Sequence, residues 1–196
     1  MANADAAFGL RPLGYDVDKQ TNVYAVDATN AIYIGDPVSL TGTGDTEGVP
    51  QVKLAVISDA TTTNNTPIMG VVVGVCSDRN GSSLQDDAKY VAASATGKYV
   101  RVVDDPDALF VVQEDSGGAA LAVTAIGQNA NLEIAAGSAT SGLSGTEIDS
   151  SKIGTDTAFS VKILGLYQTP DNAVGDNAVW KVQIANHQLR AATAGV

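Results

Sequence analysis

Two stretches near the C-terminal end, "TAFSVKILGLYQ" and "AVWKVQIANHQL", alternate apolar and polar residues with a period of two. Phe159, Val161 and Ile163 fall on one face of the first, and Trp180, Val182 and Ile184 on one face of the second. Lys162, Lys181 and Gln183 point the other way, as successive side chains of a strand must. This period excludes an amphipathic helix and predicts two paired strands joined by "TPDNAVGDN". The rest of the chain has the same texture. Short Val/Ile runs are separated by Ser, Thr, Asn, Asp and many of the 20 glycines, with no long helical pattern between them. The expected class is therefore all-β, an antiparallel sandwich or barrel, jelly-roll-like or related.

Further strands are expected in "NVYAV", "AIYI", "PVSL", "QVKLAVI" and "IMGVVVGVC". The last is apolar throughout, as in a strand buried on both faces, and Gly70 and Gly74 mark bulges or close packing within it. "KYVRVV" and "ALFVVQ", separated by "DDPD", read as a hairpin-like pair. Residues 117–132 fit a short helical turn as well as a strand, and residues 135–156, rich in small residues, read as one long loop. No fixed-period repeat is visible. The organisation expected is an extended N-terminal arm over residues 1–20 and a β-rich body over residues 21–196, undivided or split into two small β subdomains.

Composition narrows the function classes. A formal charge of −11, with the 11 Lys and Arg scattered singly, argues against neutralising nucleic-acid phosphates or an anionic membrane surface. A solubilising surface, or docking on a basic protein, fits better. The single cysteine, Cys76, permits no internal disulfide and reads as a small buried hydrophobe. No apolar run approaches the roughly 20 residues of a membrane span, and the first residues lack the marks of an export signal. The expectation is a soluble protein made in a cytosol.

Candidate chemistry is sparse. "EDSGG" at Glu114–Gly118 resembles the "GDSGG" around the nucleophile of trypsin-like proteases, but the only histidine, His187, follows Ser116 instead of preceding it. A glycine-rich turn after a strand explains the letters better. Asp104, Asp105 and Asp107 in "DDPD", and Asp171, Asn172, Asp176 and Asn177 in "PDNAVGDN", offer oxygens of the kind calcium takes, yet both stretches are ordinary turn chemistry. "NNT" at Asn64–Thr66 matches a glycosylation acceptor by its letters alone. His187 reads as a structural hydrogen-bonder. No catalytic residue, cofactor or metal site is assigned, and the chain is expected not to be an enzyme.

The informative remainder is the opening "MANADAAFGLRPLG". Phe8, Leu10 and Leu13 would anchor it, Pro12 would limit helix formation, and Arg11 stands among them, so these five residues are the candidate partner contacts. Together with "AIYIGDPVSL", "IMGVVVGV", "YVRVVDDPDALFVVQ", "IGQNANL", "SGLSGTEID" and "LGLYQTPDNAVGDNAVWKVQIANHQL", it resembles the head cement or decoration proteins of tailed bacteriophages. The resemblance runs over nearly the whole chain, and its most specific piece is "PDNAVGDNAVWKVQIANHQ". It implies a structural virion protein on the outer face of an icosahedral head. Its partner would be the major capsid protein, and it would bridge neighbouring subunits as a homo-oligomer, with a trimer favoured over a dimer. The arm would then order on a neighbour. Two other classes fit the residues: a receptor-binding or fibre-type β module contacting its target through loops such as Ser138 to Ser151, and, with less support, a polysaccharide hydrolase.

Overall fold

A computed structural model describes residues 3–14, 21–57, 65–80 and 88–190. The strands are β1 (Arg11–Pro12), β2 (Thr21–Val26), β3 (Ile32–Tyr33), β4 (Pro37–Gly44), β5 (Pro50–Leu54), β6 (Gly70–Cys76), β7 (Tyr90–Val91), β8 (Tyr99–Val103), β9 (Leu109–Gln113), β10 (Asn129–Glu133), β11 (Glu147–Gly154), β12 (Val161–Leu166) and β13 (Val179–Ile184). One 3-10 turn, Val123–Ala125, lies before β10. The fold is all-β, as the alternation requires.

Five strands form a closed barrel in the order β2-β5-β4-β6-β8, with β8 returning to β2. The pair β2/β5 is parallel and the others are antiparallel. Val38, Val52, Val72, Val100 and Val102 fill its interior, each fully buried. β3 and β7 make a small antiparallel flap whose Tyr33 and Tyr90 rings stack at 4.8 Å. The remaining strands form a six-stranded sheet, β1-β9-β13-β12-β10-β11. It curls until the end of β9 meets β11 through a parallel bridge between Glu114 and Ile148. Phe110, Val112, Ile148, Ile163, Trp180 and Val182 fill the space enclosed.

The second unit repeats the first strand for strand. Taking β2, β4, β5, β6, β8 and β9, β10, β11, β12, β13 in chain order, both run around the barrel as first, third, second, fourth, fifth, with the first and third parallel. The registers match as well. β6/β8 pairs Val72 with Val102 and, after a bulge, Gly74 with Arg101. β12/β13 pairs Ile163 with Val182 and, after a bulge, Gly165 with Lys181. Gly35 N donates to Val72 O at 2.8 Å, and Gly127 N donates to Ile163 O at 2.8 Å. Val72 N donates to Asp36 O, and Ile163 N to Gln128 O. Asp27 N and Asp115 N donate to Val52 O and Ile148 O, across the two parallel closures. The shared letters are few: "IGDPVSL" against "IGQNANL", and "VVVGV" against "KILGL". The loops between equivalent strands differ in length, so the repeat has no fixed period in the sequence.

Two expectations need correction. "KYVRVV" and "ALFVVQ" do not pair: β8 lies between β2 and β6, whereas β9 lies between β1 and β13. "DDPD" is the link between barrels, and Asp104 is held to the first by Tyr24 Oη at 2.6 Å and Asn22 Nδ2 at 2.8 Å. The supposed loop over residues 135–156 contains β11, the third strand of the second barrel. Asp149 and Ser150 are buried in it, and hydrogen bonds offset their desolvation: Ser150 N donates to Asp115 Oδ1, and Ser151 N and Oγ donate to Asp149 Oδ1. Gly74 does sit at a bulge. Gly70 packs where a side chain would strike the Val103 carbonyl.

Each barrel has its own interior, but the cluster that fills the second extends onto the outer face of the first and so is shared by both. Val71 and Val103, on the outer face of the first, join Ile68 and Leu10 in the cluster that fills the second. This explains why Val103 is as buried as Val102 although the two point in opposite directions.

Candidate interaction site: the docked arm

The arm runs antiparallel along β9. At its start, Asn3 Nδ2 donates to the carbonyls of Ala173 and Asp176, and Asn3 Oδ1 accepts from Ala173 N. Gln113, buried at the end of β9, clamps the next turn: its Oε1 accepts from Ala6 N and its Nε2 donates to Ala4 O. Leu10 N then donates to Gly35 O at 2.9 Å, on the first barrel. Arg11 and Pro12 pair with Val111 and Phe110 as β1, and Leu13 N donates to Leu109 O. Pro12 lacks a backbone donor and so occupies an edge strand, where none is needed.

Close approach to the first barrel depends on two glycines. Gly9 and Gly35 have φ of +72° and +97°, and a Cβ on Gly35 would lie 2.7 Å from the Phe8 carbonyl oxygen and 3.1 Å from Gly9 Cα. Phe8 is half-buried under the Arg11 guanidinium, 4.6 Å from its ring centroid. The arm, Ile34, Val73 and Leu143 enclose an apolar cleft of about 190 Å³. Leu143 reaches it because its loop bridges to Ile34 and Ile34 N donates to Gly142 O. Asp36, buried beside them, accepts from Ser144 Oγ, Thr146 Oγ1 and Tyr33 N. Its burial outweighs these bonds and raises its carboxyl above the usual range.

Of the candidate contacts, Leu10 is 1% exposed and belongs to the shared core. Phe8, Pro12 and Leu13 are half-buried, and Arg11 is exposed. The arm is thus a strand of its own protein, not a loose strap. An apolar run names a segment that will be buried, but not whether the covering surface is its own chain's or a neighbour's. Residues 1–2 and 15–20 of the expected arm lie outside the described residues.

The other sequence candidates are distributed through the fold. "EDSGG" is the turn that latches β11: Asp115 Oδ1 accepts from Ser150 N, and Gly118 N donates to Ser150 Oγ. Glu114 is fully buried; its Oε2 accepts from Leu121 N and from Trp180 Nε1, both at 3.1 Å. His187 bridges to Ile68 and accepts from Leu189 N, with Arg190, Asp104, Asp105 and Asp107 as its charged surroundings and not Ser116. Asp105 caps Asp107 N, and Asp107 faces Arg190 at 3.5 Å. Asn172 ties Tyr167 to Val179. Among the described residues no three His, Cys, Asp or Glu side chains converge on a metal-sized space. Cys76 is buried, which raises its thiol pKa. Asn64 of "NNT" lies outside the described residues, and among the described residues no helix is long and apolar enough to cross a membrane.

No family model, curated protein or solved structure matches this chain.

Proposed function

We propose that the chain is a structural protein of a tailed-bacteriophage head, bound to the outer face of the capsid and cementing neighbouring major capsid subunits. The observation that carries this reading is the fusion of two barrels of one topology, the outer face of the first packed into the apolar cluster that fills the second. A rigid body with two related faces meets two quasi-equivalent neighbours at once, which bridging requires. A charge of −11 suits a protein on the side of the shell away from the genome.

Because Leu10 is used in the chain's own core, the adhesive surface is assigned to the barrels and their loops, not to the arm. Each copy adds modest burial, on the order of 25 cal/mol per Å² of apolar contact before association costs, and many copies multiply it. Closed symmetry on an icosahedral lattice favours trimers, with dimers second.

The test is re-addition of purified protein to heads that lack it. Saturable binding, and retention of packaged DNA to a higher temperature, are the expected results. Binding to host cells with none to heads would replace this reading with the receptor-binding one.

A further inference from the structure

The repeat makes the two barrels each other's reference, and they differ at one apolar flank. On the first barrel, Gly35 is buried and Ile34 and Val73 are half-buried beside the arm: Leu10 N donates to Gly35 O, Phe8 and Leu10 line the cleft with them, and Leu143 bridges to Ile34. Matched registers identify Ile126, Gly127 and Leu164 as the equivalents on the second barrel, since Gly127 N meets Ile163 O as Gly35 N meets Val72 O. Here the flank is bare. Ile126 is 47% exposed, Leu164 38% and the adjoining Val123 62%. Gly127 keeps a φ of +88°, close to the +97° of Gly35, but a Cβ there would meet nothing within 4 Å.

We propose that this flank docks an extended segment of another protein, one with the chemistry of the arm. It would present a bulky apolar residue, a glycine and a leucine in the order of Phe8, Gly9 and Leu10, with the leucine amide donating to Gly127 O. The occupant is not the arm of a second copy. Each chain has one arm and two such flanks, and that arm is already held, on the first flank by Leu10 and on the second barrel by the β1/β9 ladder. Filling the second from another copy would empty that copy's first. Apolar anchors together with main-chain bonding are what extended-segment recognition uses. An uncovered apolar patch beside a preformed backbone turn has the corresponding shape. The inference rests on the repeat and not on the virion reading. If both hold, the segment belongs to a capsid subunit.

The probe is a labelled peptide of residues 6–12, AAFGLRP, titrated with the full-length protein. Saturable one-to-one binding is expected, weakened at least tenfold by Ile126→Asp or Leu164→Asp and unchanged by Val56→Asp, an exposed apolar site away from both flanks and the arm. Ile126 and Leu164 are surface positions, and unaltered circular dichroism and melting show that the variants fold. Absence of binding at millimolar peptide overturns the proposal. Binding that survives both variants also overturns it, because the peptide has then displaced the chain's own arm. Self-association of the protein that Ile126→Asp abolishes assigns the flank to a second copy and overturns it too.

Discussion

The indole Nε1 of Trp180 donates to Glu114 Oε2 at 3.1 Å inside the second barrel, with both side chains fully buried. At the matched position of the first barrel stands Val26, whose amide meets Lys98 O as that of Glu114 meets Ala178 O. One repeat therefore places an ionisable group where the other places a hydrocarbon. Burial outweighs the bonds from Leu121, Trp180 and Ala178 and pushes the Glu114 carboxyl up to about 7. Its Oε1 has no hydrogen-bond partner, so the neutral form is the one the core tolerates.

A folded-state pKa above the unfolded value means that the native state holds the proton more tightly. The contribution is fully present below 4.5, the unfolded value, and is lost as pH rises through about 7. Glu147 is also raised to about 7, by burial and then by Asp5, Asp115 and Glu133, and adds in the same direction. His187 opposes them: burial and then Arg190 lower it to about 4, so stability is lost as pH falls from 6.5. The wild type is expected to gain stability from pH 8 to 6.5, with Glu114 contributing roughly 1 kcal/mol of the rise. Glu114→Gln should lose that share and fall more steeply than wild type below pH 6.5. Urea midpoints at pH 8, 6.5 and 5 check this, and parallel wild-type and variant profiles would remove Glu114 from the account.

Leu10→Ala tests whether the arm belongs to the body. Deleting a buried leucine side chain costs about 2–5 kcal/mol through lost transfer and residual cavity. Leu13→Ala, at a half-buried position beyond the shared core, should cost less. The measurement is the urea midpoint of each variant, with N-terminal cleavage by a dilute protease as a second readout. A free strap would leave the midpoint of Leu10→Ala unchanged.

What the sequence reveals depends on where its polar residues fall. β12 and β13 are legible because Lys162, Lys181 and Gln183 separate apolar residues that all face one core. β11 is hidden because Asp149 and Ser150 are buried in it: Ser151 satisfies Asp149 locally, as in a turn, and the Asp115 carboxylate that receives Ser150 N is brought near only by the fold. The false hairpin at "DDPD" has a related cause. Proline and aspartate specify a turn, but whether the chain re-enters the same sheet was decided by Asp104 binding Tyr24 and Asn22, a long-range contact. Burial of the arm was legible as apolar content, its destination was not. Register matches the two barrels where sequence does not, because hydrogen-bonded backbone tolerates the exchange of Val26 for Glu114 or Val100 for Trp180 if the neighbours repack.

The matched glycines give the most direct check of the arm's dock. Gly35 and Gly127 have nearly the same positive φ, so alanine carries a similar backbone cost at both, about 1–2 kcal/mol. Only Gly35 is covered, and its added methyl would lie 2.7 Å from the Phe8 carbonyl oxygen, closer than real contacts allow. Gly35→Ala is therefore expected to cost appreciably more than Gly127→Ala and to free the arm, seen as faster proteolysis before Gly14 and faster amide exchange at Leu10. Gly127→Ala should lose only the backbone share and leave arm exchange unchanged. Equal destabilisation by the two substitutions, with arm exchange the same in both, would mean that the Gly9–Gly35 approach does not hold the arm.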